Sequence, residues 1–342
     1  MVCRLGGSFI HYPLFDSIVV MKPDEKDRLT RRQFLQYGLA AGAVLYGLTH
    51  LASRPRARPL KGFKTHELTN ALVVARGEDP AALTRMAIET LGGMSRLVSR
   101  GDVVVIKPNM AWNSPPEFAA NTNPLVVAEL VRLSLEAGAR RVKVFDHTPS
   151  DDPAAAYEAS GIAEAARAAG ADVHFVRRDG FHVLPIEGRA LKAWPFYEEV
   201  IFATECDVLI NVPIAKHHST SRLTLGLKNI FGVLGGERGA LHSDIHTKIA
   251  DVNRVVRVDL TVLDAYRILR RHGPTGGRLE DVDNSPENAR RVVAGTDRVA
   301  VDAYATTLFG LKPEDIGFLT AAHAAGLGEI DLNKVQVVEV KA

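Results

Sequence analysis

The segment 211–246, NVPIAKHHSTSRLTLGLKNIFGVLGGERGALHSDIH, concentrates the residues of this chain that can do chemistry: Lys216, His217, His218, Lys228, Asn229, His242 and His246. Lysine and asparagine together suit an anion, the first supplying charge and the second orienting oxygens. Histidine adds acid–base capacity near neutral pH. Neighbouring residues of a strand face opposite ways, so His217 and His218 cannot both serve one point unless they lie in a loop. We read His217 as the general acid–base group. His242 and His246 are spaced i,i+4 and would share one face of a helix as a metal pair, although a solvated helix start would carry the same two residues. Gly232, Gly235, Gly236 and Gly239 suit either a loop whose N–H groups cradle an anion or a flexible turn.

A second set of polar residues follows apolar runs. Residues 103–106 end in Lys107-Pro108-Asn109, 141–145 in Asp146-His147, 208–210 in Asn211, and 260–263 in Asp264. Open α/β sheets bind ligands beyond the carboxyl ends of their strands, so these groups would converge. Read singly, each also suits a helix cap or a turn. Lys107, directly after a buried strand, would contact an anion or serve as a base of lowered pKa. Asp302 sits one turn into a helix opened by Asp297, where a buried acid either pairs with a base or serves a site.

Several sites are absent as patterns. The glycine cluster lacks a following Gly-Lys-Ser/Thr and is not G-x-G-x-x-G after a strand, so neither a Walker loop nor a nicotinamide site is indicated. No G-x-S-x-G elbow occurs. Cys3 and Cys206 are the two cysteines, so the chain has no cysteine-ligated iron–sulfur cluster of its own.

The net charge of +2 divides unevenly. Residues 1–59 carry nine Lys/Arg and four Asp/Glu, whereas the other 283 residues carry 33 and 36, a mildly acidic body without a nucleic-acid footprint. In the basic part, Thr30-Arg31-Arg32-Gln33-Phe34-Leu35 precedes 18 residues (34–51) free of Asp, Glu, Lys and Arg. This resembles a twin-arginine export signal, placed at about 21–53, with Met21 the expected start. Export would deliver the chain outside the cytoplasm, soluble or held by an uncleaved N-terminal helix.

The elements that must position these residues alternate. Apolar runs at 71–75, 103–106, 141–145, 172–176, 208–212, 260–263, 291–294 and 335–340 read as strands. Between them 80–98, 124–137, 153–169, 297–309 and 313–325 read as helices, with Asn123 and Asp297 as N-caps. The expected fold is α/β, a mostly parallel sheet with helices on both faces and an inserted excursion near 177–203. Residues 1–59 form a leader and 60–342 one domain, opened by a polar linker at 60–70.

Residues 104–109 (VVIKPN), 207–216 (DVLINVPIAK) with His217, 223–232 (LTLGLKNIFG) and 297–303 (DRVAVDA) resemble the DUF362 family, and Gly326-Leu327-Gly328 fits as well. The resemblance covers about 70–330 and implies a fold and a set of positions. That family is a domain of unknown function, sometimes accompanied by ferredoxin-type iron–sulfur modules. Any cluster here would come from a partner.

The residues themselves point to an exported enzyme of a small anionic substrate. Lys107, Lys216 and Lys228 would hold the anion, Asn109, Asn211 and Asn229 would orient it, and His217 would move protons. Asp146, Asp264 and Asp302 would orient the bases or hold a divalent metal with His242 or His246. Its partners would be the small anion, the twin-arginine translocase and a redox protein. The alternative is a non-catalytic accessory protein of an extracytoplasmic redox system that holds a metal or organic anion.

Overall fold

The computed structural model describes residues 71–342, all within one unit, Pro55–Ala342. The leader, the start at Met21 and the linker lie outside the described residues. The strands are β1 (Leu72–Arg76), β2 (Val103–Pro108), β3 (Arg141–Val144), β4 (Asp172–Val173), β5 (Phe181–Pro185), β6 (Ala193–Tyr197), β7 (Val208–Val212), β8 (Ile214–His218), β9 (Arg222–Thr224), β10 (Leu260–Leu269), β11 (Val282–Asp283), β12 (Arg291–Gly295) and β13 (Val337–Lys341). The helices are α1 (Pro80–Thr90), α2 (Pro124–Glu136), α3 (Pro153–Ala159), α4 (Ile162–Ala168), α5 (Glu198–Ile201), α6 (Gly226–Asn229), α7 (Ile245–Asn253), α8 (Arg298–Thr307) and α9 (Gly317–Ala324).

The main sheet runs β13-β1-β12-β10-β7-β2-β3-β4. Only β12 opposes its neighbours on this path; the other pairs are parallel. The strands are apolar on both faces because each face has a core. Val104, Ile106, Val208, Ile210, Val262 and Val292 pack with α1, α2 and α4. The alternate residues Val105, Leu209, Leu263 and Val293 pack with α7, α8 and α9. This alternation is the period of two that a strand imposes.

Four expectations are corrected in detail. The helix expected over 80–98 stops at Thr90, because Gly92 and Gly93 adopt φ of 99° and 88°, leaving 94–96 as a single 3₁₀ turn. The helix expected over 153–169 breaks into α3 and α4 at Gly161, where φ is 68°. The strand expected at 260–263 continues to Leu269. The excursion at 177–203 is a β5–β6 hairpin followed by α5. Asn123 and Asp297 do cap α2 and α8, accepting from Leu125 N and from Val299 and Ala300 N.

Among the elements without a sequence expectation, β8 bears most directly on the site. Strand β7 pairs with the start of β10 at Leu260 and Thr261, then Pro213 interrupts the chain. β8 resumes alongside the far half of β10, pairing Asp264 with Ile214 and Leu269 with Lys216. The sheet is thereby extended past the carboxyl ends of β2 and β3, and the polar end of β8 stands over them.

The loop of the hairpin is held by one side chain. The Asp251 carboxylate in α7 accepts from Arg189 N (2.9 Å), Ala190 N (2.7 Å) and Leu191 N (2.8 Å) in the β5–β6 loop. Replacing Asp251 by Ala removes three charge-assisted bonds, and solvent recovers part of the loss. The expected destabilisation is about 2 kcal/mol, read as a lower urea midpoint at unchanged slope.

Candidate functional site

A cavity of about 810 Å³ opens beyond the carboxyl ends of β2 and β3, under β8 and α6. Of the residues singled out in the sequence, Lys107, Asn109, Asp146, Lys216, His218, Lys228, Asn229 and His242 line it, with Gly232, Gly236 and Gly239 of the glycine cluster. His217, Asn211, Asp264, Asp302 and His246 do not.

Strand periodicity accounts for His217. Lys216 and His218 lie two apart on β8 and both line the cavity, while His217 faces away and accepts from Gly273 N at 3.2 Å. Of the two adjacent histidines, the one at the cavity is therefore His218.

The three lysines are all buried, but their ammonium groups differ in what surrounds them. A lysine has three donors and no acceptor. Lys107 Nζ has three oxygens in reach: Asp146 Oδ1 at 2.8 Å, Pro108 O at 2.6 Å and Asn229 Oδ1 at 3.1 Å. Lys216 Nζ also has three, Asn109 Oδ1 at 2.9 Å, Ala120 O at 2.5 Å and Pro274 O at 3.2 Å. Lys228 Nζ has no hydrogen-bond acceptor among the described residues; its nearest recorded partner is the Phe231 ring, 5.0 Å away. Lys228 is nonetheless only 8% exposed. Burial lowers the pKa of all three, against the pull of Asp146 in the case of Lys107. For Lys216, Lys228 and Lys107 add to the lowering and Asp146 stands against it. Lys228 falls to about 8, with Arg238 contributing.

The asparagines form a directional chain. Lys107 Nζ and Asn109 Nδ2 donate to Asn229 Oδ1, Asn229 Nδ2 donates to Asn211 Oδ1 at 2.9 Å, and Asn211 Nδ2 donates to Gly226 O at 2.9 Å. Asp302 accepts from Gly226 N (2.7 Å) and Leu227 N (2.8 Å), which holds the start of α6. Asp264 accepts from Asn123 N (2.7 Å) and Tyr266 N (2.9 Å). Burial pushes Asp302 up to about 7 and Asp264 up to about 6, against these backbone bonds. Asn211, Asp264 and Asp302 are thus positioning groups behind the cavity wall.

The metal pair does not form as expected. His242 ends a 3₁₀ turn, Arg238–His242, and α7 begins only after Asp244, whose φ of 48° turns the chain. His242 stacks with His218 (6.0 Å between centroids), whereas His246 stacks on Phe318 (6.2 Å). Among the described residues no three His, Cys, Asp or Glu side chains gather as metal ligands. Cys206 is buried and forms no disulfide among the described residues.

From the sequence alone three contributors have no individual role, although His147 stands at a strand end and Gly232 among the glycines of a cradle or turn. His147 follows Asp146 and packs on Phe181 of the hairpin, 5.1 Å between centroids. Its only signal was its place after a strand end. Arg238 donates to His147 O and to Thr148 O at 2.9 Å, and no carboxylate pairs with it among the described residues. It came unmarked from the glycine-rich loop. Gly232 lies against the Lys107–Asp146 pair, where a Cβ would overlap Asp146 Oδ1 and come 2.6 Å from Lys107 Nζ.

Fold and cavity together define an α/β protein with a cation-rich pocket at its strand ends. Residues 104–307 match the family described as Domain of unknown function (DUF362), and the chain belongs to that family. A thylakoid-associated protein of Synechocystis sp. is 27% identical over 267 residues, covering 72% of this chain and 75% of the relative. The structure of the lactate racemase apoprotein from Thermoanaerobacterium thermosaccharolyticum aligns with a TM-score of 0.36 and 13% identity, over 62% of this chain and 55% of that one. This chain therefore spans about half the length of that structure.

Gly232→Ala tests the packing around the buried pair. Its methyl group must separate Lys107 from Asp146, so the variant is expected to lose about 3–5 kcal/mol of unfolding free energy, the range for a broken buried ion pair. Chemical denaturation measures it, and an unaltered midpoint would contradict the packing described.

Proposed function

We propose that this chain is an enzyme acting on a small anionic substrate and that Lys228 is the group that takes the anion. The observation that supports this most is the inequality of the three lysines. Lys107 and Lys216, each 1% exposed, have three oxygens in reach of the ammonium; Lys228, at 8% exposed and lining the cavity, has none. A mostly buried ammonium without a protein acceptor costs stability, and a ligand carboxylate or phosphate in the cavity would supply what it lacks. Arg238 adds a second positive group on the same wall. Asp146 is engaged by Lys107, and the other lining carboxylates, Asp151 and Glu237, are exposed. Within this reading Lys107 and Lys216 set the field, and Asn109 and Asn229 hold them in place.

The leader at about 21–53 would hand the folded chain to the twin-arginine translocase, so that the site works outside the cytoplasm. The thylakoid-associated relative supports a place near a membrane. Among the described residues no helix is long and apolar enough to cross one.

Calorimetric titration of the full chain with oxalate and with inorganic phosphate tests the anion site. Lys228→Met should weaken binding about tenfold or more, the size of one charge-assisted bond. Unchanged affinity would remove Lys228 from the site. Binding without turnover of any small acid would favour the accessory-protein reading.

The pH dependence has a defined sign. Burial lowers the ammonium to about 8, so affinity for oxalate, fully ionised near neutral pH, should be level from neutral pH to about 8 and fall about tenfold per unit above it. Stability runs the other way. Folding lowers Lys228 from 10.5 to about 8, so the free protein carries its full penalty below pH 8 and sheds it as pH rises towards 10.5. Lys228→Met should therefore stabilise the free protein at pH 7 by about 2–3 kcal/mol, with the gain vanishing above pH 10, which denaturation at the two pH values measures.

A further inference from the structure

We propose that His147 and His218 form a proton-transfer pair of fixed polarity, His147 a base and His218 a neutral hydrogen-bond donor, acting on a small 2-oxo carboxylate. This rests on the anion-site reading above. Each ring has one nitrogen committed to the backbone, and the two commitments are opposite. His147 Nδ1 lies 2.7 Å from Leu234 O. A carbonyl brings no proton, so Nδ1 carries it, and the neutral ring presents a bare Nε2. His218 Nδ1 instead receives the backbone N–H groups of Thr220 (3.1 Å) and Ser221 (3.4 Å). That nitrogen therefore holds the lone pair, and the proton of the neutral ring sits on Nε2. Both residues line the cavity, and neither Nε2 has a hydrogen-bond partner among the described residues.

The surroundings maintain this assignment. Burial together with Lys228, His242, Lys216 and His217 drives the pKa of His218 down to about 3, so its ring stays neutral. His147 is also lowered, by burial and by Arg238, with Asp146 and the Leu234 carbonyl acting in the opposite sense. Once protonated, His147 keeps its bond to Leu234 and gains Asp146 as a nearby counter-charge.

The pocket thus offers a group that can only accept, a group that can only donate and an unpartnered ammonium. The smallest substrate with the complementary set is a carboxylate bearing a carbonyl and an adjacent C–H. The carboxylate takes Lys228. His147 Nε2 removes the proton from carbon, so a C–H bond breaks and an N–H bond forms. The released electron pair becomes the C=C bond of the enolate, and the charge collects on the former carbonyl oxygen under His218 Nε2–H. His218 does not release its proton, since that would leave an imidazolate; it acts as a neutral donor to the growing oxyanion. Return of a proton from His147 to carbon closes an exchange that needs no oxidant or reductant.

Two measurements on the full chain test this. Long-range ¹H–¹⁵N spectra of histidine-labelled protein at pH 7 should show His147 protonated at Nδ1 and His218 at Nε2; the reverse tautomer at either residue overturns the polarity. In D₂O, the protein should accelerate deuterium entry into C3 of pyruvate or 2-oxobutanoate, followed by proton NMR. His147→Gln should slow that exchange about 100-fold. His218→Gln, which keeps a side-chain donor, should retain more activity than His218→Phe, an ordering that a merely structural role would not produce. Exchange that is absent with both acids, or indifferent to His147→Gln, overturns the assignment. Oxalate and phosphate titrations separate the levels: anion binding without exchange defeats this inference alone, and loss of anion binding in the wild type defeats the underlying reading too.

Discussion

The site depends on a charge that the fold holds in its interior. Lys107 and Asp146, 1% and 3% exposed, face each other at 2.8 Å where β2 and β3 end. Each ion alone would be too costly to bury, and the pair is tolerable only because its other valences are met. Pro108 O and Asn229 Oδ1 complete Lys107, and Met110 N donates to Asp146 Oδ2 at 2.7 Å. Gly232 lets the chain pass directly against the pair and accepts from His147 N at 2.9 Å. The position of His147, and through it that of Arg238, follows from this packing.

The same constraint separates supporting charge from available charge. Three lysines are brought within one cavity, and the fold supplies oxygens for two of them. Stability alone would favour an acceptor for Lys228 or a neutral residue in its place. The unmet demand is the kind of local cost that proteins retain at sites where a ligand supplies the missing partner. Behind the wall, Asp302 and Asn211 do not reach the cavity, yet they fix the short helix α6 that carries Lys228 and Asn229.

Much of the architecture was legible from local pattern. The strand runs and the caps at Asn123 and Asp297 follow from apolar periodicity and from backbone N–H groups that need an acceptor. Lys107, Asn109 and Asp146 were legible by position, because strand ends in such sheets meet at one edge. His217 was the less legible choice. Its pattern, IAKHH, is too short and polar to announce a strand, and β8 exists because it pairs with β10 and β9. That pairing, absent from local sequence, set the alternation that turns His218 inward. The i,i+4 spacing of His242 and His246 misled because a left-handed Asp244 divides a 3₁₀ turn from α7.

The sequence by itself determined the class of fold, the family and the residue types gathered at the strand ends, since hydrophobic period and short motifs are local quantities. Tertiary structure decided which lysine is left without an acceptor and which nitrogen of each cavity histidine holds its proton. Those facts depend on oxygens and N–H groups contributed by distant segments: Ala120 and Pro274 for Lys216, Leu234 for His147. Hydrogen-bond valence is settled only when all partners are in place, and here it turns a collection of basic residues into a site with one open cation and a direction for proton transfer.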